Sequence, residues 1–450
     1  MKRILIALAM LAAVQVADAQ VKSPDAAAKA VAKAETAAND AKKATKVATW
    51  ITLGKAYMDA YNAPAGSAWV GAARQELTLL MGADKPQGEQ QVELNGTPYI
   101  KEIYSNKEFY YSQDGVLQMI IVTKPVVEDA LTKAFEAYKK AYELDEKQSK
   151  AKDISAALND INRKFVTEAY NAYHFGDLAK ASEYFAKAAE AMNAAPLSQL
   201  DENSLYNAGF TAWMGKDYER AKKYFEECLA NNYYYDDGEV FAKLADVYTN
   251  LGDAEASVKI LEEGFTKFPQ SQSILIGLIN YYLTRNENPD RLFELIALAK
   301  QNEPNNASLP YVEGNIYVEL RKADPAKAKE YEALAVAAYD ACAEINPEYE
   351  FGYIGKGIMF YNIALELQEK ASDPALSWEA WEDLNKEFSQ YLKNALEPFE
   401  KAYNTSKDNS LKVNIADFLK NIYYRFSTEG PEWEEGYKKY NEVVKSGQAQ

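Results

Sequence analysis

The sequence predicts an all-α superhelical solenoid of antiparallel helix pairs, with a small α+β insertion in the first pair. Three observations carry this reading. Leu205, Ala208, Gly209, Ala212, Ala221, Phe225 and Cys228 recur 36 residues later as Phe241, Leu244, Ala245, Tyr248, Ser257, Leu261 and Gly264, with no slip in register. Within each unit the first spacings put residues on one face of a helix, and the last spacings do the same for a second helix. Over residues 64–124 the apolar period shortens toward two and Asn-Gly and Asp-Gly pairs appear, which marks a change from helix to hairpin.

Tight turns separate the helices of each pair, Gly-Lys-Asp-Tyr at 215 to 218 and Leu-Gly-Asp-Ala at 251 to 254. Gly or Asp there stops one helix and caps the next. Forty residues back from Gly209, Ala221, Phe225 and Cys228 stand Ala169, Ala181, Phe185 and Ala188. Thirty-five residues forward from Leu244, Tyr248, Ser257, Leu261 and Gly264 stand Ile279, Leu283, Leu292, Ile296 and Ala299. Pro269, Pro304 and Pro347 close successive second helices, since proline has no N–H to donate. Two antiparallel helices per unit, small residues where they touch and a length near 34 residues resemble the tetratricopeptide repeat (TPR). The resemblance implies a binding scaffold whose first helices line a groove for an extended peptide or a partner helix.

From its start, the chain reads as follows. Residues 1–19 have the pattern of a cleavable secretory signal: Lys2 and Arg3, the apolar run Ile4 to Val14, then Ala17-Asp18-Ala19. No cysteine follows the cut, so the expectation is a periplasmic or secreted protein without a lipid anchor. Residues 20–48 are rich in Ala and Lys and read as a helical cap. Trp50, Leu53, Gly54 and Tyr57 restate the first-helix pattern, but Ala134, Tyr138 and Ala141 supply the second helix far downstream. The first repeat is therefore split into 49–63 and 125–146, with 64–124 inserted. In the insertion, Ala68 to Met81 has helical spacing, followed by strands at Val92 to Leu94, Tyr99 to Tyr104, Glu108 to Ser112 and Val116 to Thr123. The run with Trp69, Gly71, Glu76, Gly82, Tyr99 and Asp114-Gly115-Val116 is similar to the BamE/SmpA-type envelope module over residues 69–123. Residues 150–347 form the regular array, and 348–450 the longer helices of the C-terminal repeats and cap.

Chemistry finds little footing. His174 is the single histidine and Cys228 and Cys342 are the two cysteines, so His- or Cys-rich zinc sites are excluded and a histidine-based catalytic site would have to use His174. The cysteines occupy equivalent inward positions three repeats apart and are expected to stay unpaired. Gly352, Gly355 and Gly357 lack phosphate-loop spacing and are read as close helix contacts. No enzyme activity, cofactor or metal is expected. The net charge of −17, or −18 without the signal, argues against nucleic acid and anionic lipid and favours a neutral or basic protein or peptide partner. No segment is long and apolar enough to span a membrane.

What remains is a surface. Carried over from the resemblance, the groove positions are Arg163, Val166, Tyr170, Tyr173 and His174, then Asn203, Tyr206, Phe210, Trp213 and Met214. Asp246, Thr249 and Asn250 follow, then Tyr281, Thr284 and Arg285. Ile51, Val166 and Tyr206 stand where the family's carboxylate clamp has its first lysine, so chaperone tails are not the expected ligand. The aromatics serve either to recognise a partner or to fill the groove against neighbouring helices. A glycan stacked on an exposed Trp213 is the alternative ligand, and an edge strand of the insertion is a second possible docking element.

Overall fold

The computed structural model describes residues 21–285 and 288–447. The expected signal at 1–19 lies outside the described residues. The chain divides into two compact units, residues 1–260 and 261–450.

In the first unit, α1 (Pro24–Ala38) opens with Ser23 accepting from the Ala26 N–H and with proline in its first turn. It buries Ala27, Val31 and Ala34 in a core shared with α2 (Val47–Asn62). Tyr57 ties the two helices by donating its hydroxyl to Glu35 at 2.7 Å. The partner of α2 is α4 (Ala130–Leu144). A Cβ at Gly54 would lie 2.7 Å from the Tyr138 ring, so only glycine admits this approach.

Between α2 and α4 lie α3 (Arg74–Leu80) and an antiparallel meander, β1 (Gly88–Leu94), β2 (Thr97–Ile103), β3 (Lys107–Tyr111) and β4 (Leu117–Val122), ordered β1-β2-β3-β4. Asn95 and Gly96 both have positive φ, 49° and 77°, as a two-residue hairpin turn requires. Helix over Ala68 to Met81 was expected, but only 74–80 is helical. Residues 71–73 are drawn to the sheet instead: the Gly71 N–H donates to the Leu117 carbonyl, the Leu117 N–H to the Ala72 carbonyl, and Ala73 bridges Val116. Gly71, at φ 95°, makes the turn that breaks the helix.

One face of the sheet packs Phe109, Tyr111 and Leu117 against Ala72 and Leu77. The other, with Tyr99, Tyr110 and Met119, meets the end of α5 (Ala151–His174). There Tyr110 and Phe175 pack edge to face at 5.3 Å, and the Asn95 amide donates to the His174 carbonyl at 3.1 Å.

The array continues with α6 (Leu178–Asn193), α7 (Glu202–Met214), α8 (Tyr218–Ala230), α9 (Glu239–Asn250) and α10 (Ala254–Lys267). Asp177, Asp201, Asp217 and Asp253 each accept from a backbone N–H three residues on, capping α6, α7, α8 and α10. Gly209 brings α7 onto α8, with its missing Cβ 2.9 Å from the Phe225 ring.

The second unit contains α11 (Gln272–Arg285), α12 (Pro289–Asn302), α13 (Ser308–Ala323), α14 (Ala328–Ile345), α15 (Glu350–Ala371), α16 (Trp378–Thr405), α17 (Asn409–Arg425) and α18 (Pro431–Gly447). A 3-10 turn at Pro325–Lys327 joins α13 to α14. Gly352, Gly355 and Gly357 are helical. A Cβ there would fall 2.6, 2.5 and 2.8 Å from Cys342, Tyr339 and Phe399, so they serve helix packing. No described helix is long and apolar enough to cross a membrane.

Candidate functional site

The first helices of the array bring an aromatic cluster together on α7 and α9. Tyr206 stacks on Phe210 at 5.8 Å, and Phe210 packs on Trp213 at 5.7 Å. The spacings of four and three residues place all of them along one face of α7. Trp213 is held from α9: its indole N–H donates to Asp246 at 2.5 Å, and the Lys243 ammonium lies 3.9 Å from a ring centroid. An ammonium that close contributes roughly 0.5–2 kcal/mol and fixes the ring before any ligand arrives. Met214 stands at the rim, 37 % exposed. Asn250 donates to the Asp246 carbonyl at 2.8 Å, and Asn203 accepts from the Tyr233 hydroxyl at 3.2 Å.

Several of the expected groove residues are already covered or engaged by neighbours. Tyr206 is 4 % exposed, because Tyr235 stacks on it at 3.9 Å and Phe225 closes another side. Tyr170 is buried against Phe185. These two rings are floor, not surface. Trp213 is half-buried with one face under Lys243, whereas an exposed indole was expected. The inserted sheet reaches the end of α5, where Asn95 takes the carbonyls of Tyr173 and His174. Burial lowers the His174 pKa, and no carboxylate or serine hydrogen-bonds to its ring among the described residues. Arg163 is exposed and paired with Asp160, Val166 packs into the core, and the Thr249 hydroxyl bonds the Ala245 carbonyl. In the second unit, the Arg285 guanidinium lies over the Tyr281 ring at 4.9 Å, and Thr284 bonds back to its own helix.

Sequence reasoning missed Tyr233, Tyr235 and Lys243. The signal was present as three consecutive tyrosines before Asp236-Asp237, at the end of the turn after α8. Tyr235 and Asp236 have φ of 49° and 44°, a left-handed conformation uncommon for residues other than glycine and, for a tyrosine, a sign that its surroundings hold it. Among the described residues no cluster of His, Cys, Asp and Glu has metal-binding geometry.

The tetratricopeptide repeat family model matches residues 202–233 and 238–266, the two helix pairs that carry this cluster. These residues are tetratricopeptide repeats. The match leaves 69–123 uncovered, so the BamE/SmpA-type likeness of the insertion gains no support from it. Among curated proteins, none matches this sequence. Among solved structures, the chain is similar to YrrB, "a TPR protein with an unusual peptide-binding site", at 19% identity over 48% of this chain and 96% of that one, TM-score 0.32. A TPR-repeat protein from Bacteroides fragilis is 17% identical over 59% of this chain and 98% of its own, TM-score 0.28. Human IFIT1, solved as a dimer with m7Gppp-AAAA, is 16% identical over 71% and 86%, TM-score 0.25.

Proposed function

We propose that this TPR protein is an adaptor without chemistry of its own, which holds a protein or peptide partner on the α7–α9 face and works outside the cytoplasm. The observation that carries the proposal is the fixed ring pair Phe210 and Trp213, clamped by Lys243 and Asp246 beside the exposed Met214. Such rings offer a large contact area at low entropic cost, because their rotamers are already set. The pattern of residues 1–19 supports the location. The net charge of −17 supports a neutral or basic partner. A glycan on Trp213 is disfavoured, since Lys243 covers the ring face on which a sugar would stack.

The test is capture from an envelope extract by the chain lacking residues 1–19, beside a Phe210→Ala, Trp213→Ala variant with unchanged circular dichroism. A partner retained by the parent and lost by the variant is the expected result. Equal capture by both overturns the assignment of this face.

A further inference from the structure

The second unit carries an open cleft of roughly 590 Å³ between two successive inter-repeat turns, one joining α12 to α13 and the other α14 to α15. Asn302, Asn305, Asn306 and Asn346 line it, with Glu303 and Tyr349. The turns use part of this amide capacity. Asn346 Oδ1 accepts from the Glu348 N–H at 3.0 Å, Asn306 Oδ1 accepts from Ser308, and Asn302 Nδ2 donates to the Gln270 carbonyl at 3.1 Å. Glu303 accepts from the Asn306 amide at 2.6 Å. The rest is open to solvent: Asn346 Nδ2, Asn302 Oδ1, both ends of the Asn305 amide and the Tyr349 hydroxyl have no protein partner among the described residues, and the three asparagines are exposed, so a ligand there would replace water. An aromatic wall adjoins them. Tyr349 packs against Phe351 at 5.6 Å and against Tyr311 at 6.2 Å, and Phe351 is 41 % exposed.

We infer that this cleft binds a neutral saccharide, with hydroxyls on the amides of Asn305 and Asn346 and the C–H face of a sugar ring against Tyr349 and Phe351. Asn305 presents a free donor and acceptor side by side, which matches vicinal hydroxyls that are themselves both, and Asn346 adds a donor from the other turn. The lining has no lysine or arginine, so an anion finds no counter-charge and meets Glu303. A cation finds one carboxylate, already engaged by Asn306. An extended peptide is served by amides in a row along one helix, whereas these converge from two turns on one volume. This site is separate from the α7–α9 cluster and does not depend on it.

The test is an array of neutral oligosaccharides probed with the chain lacking residues 1–19, each hit measured by titration calorimetry. At least one oligosaccharide is expected to bind. Asn346→Asp keeps the acceptor for Glu348 while removing the free donor, and Asn305→Ala loses no protein hydrogen bond, so both variants fold. Each is expected to weaken binding about tenfold or more, as is Tyr349→Ala. An array without hits overturns the proposal, and so does affinity unchanged in Asn305→Ala and Asn346→Asp. Binding of a neutral tripeptide at Tyr349, seen by NMR, with no sugar bound would reassign the cleft to peptide.

Discussion

Cys228 and Cys342 are fully buried, and burial pushes both thiols up to about 12. The thiolate is the nucleophile, so neither should react in the native protein. At pH 8, a thiol reagent is expected to label nothing until denaturant is added, and then two groups per chain; native labelling would contradict the burial. Glu168 shows the opposite consequence of burial. Its carboxylate accepts from the Tyr61 hydroxyl at 2.5 Å, yet desolvation raises its pKa above the ordinary 4.5. The unfolded chain releases this proton more readily than the folded one, so ionisation costs stability as pH rises through 4.5. Glu168→Gln, which keeps an acceptor for Tyr61, should therefore raise the melting temperature at pH 7 and leave it unchanged at pH 4. Equal melting of the two proteins at pH 7 would refute the linkage.

Helix pairing rests on missing Cβ atoms at a few contacts. Gly209 is the clearest: an alanine there meets Phe225 at 2.9 Å and the Tyr224 Cβ at 3.3 Å, and Phe225 is buried with nowhere to retreat. Overpacking of this kind costs about 1–3 kcal/mol. Gly209→Ala should lower the urea midpoint by a corresponding amount despite alanine's higher helix propensity. A variant more stable than the parent would show that α7 and α8 can separate freely. The insertion illustrates a different competition between elements. Residues 71–73 have apolar spacing that a helix could use, but the edge of β4 offers backbone partners at Gly71 and Ala72, and the hydrogen bonds go there.

For the whole molecule, the dominant long-range property is a net charge of −17. About half of the ion pairs among the described residues join side chains three or four positions apart, such as exposed Lys140 with Glu143 at 2.8 Å, and exposed pairs of this kind contribute little individually. The excess of carboxylates instead sets a negative field, and a basic partner, one form of the partner proposed above, would be drawn inward by it. Raising salt from roughly 50 to 500 mM is expected to slow association with such a partner by about tenfold while changing dissociation little. An association rate indifferent to salt would mean that the partner is neutral.

By itself the sequence determined the class of the fold. The 36-residue recurrence, the Gly and Asp turns and the Asn95-Gly96 hairpin are all local, and each acts through backbone conformation or helical periodicity within a few residues. The rings of the candidate site were legible as a set, since Tyr206, Phe210 and Trp213 share one helical face. Which of them meets solvent was not. Tyr206 is sealed by Tyr235 and Trp213 is held by Lys243 and Asp246, partners that lie about one helix pair away in sequence. The same limit hid the cleft beside Tyr349, whose asparagines read as ordinary turn residues until stacking brought two turns together. Only the tertiary structure decides such matters, because burial of a side chain depends on what the neighbouring repeat places over it.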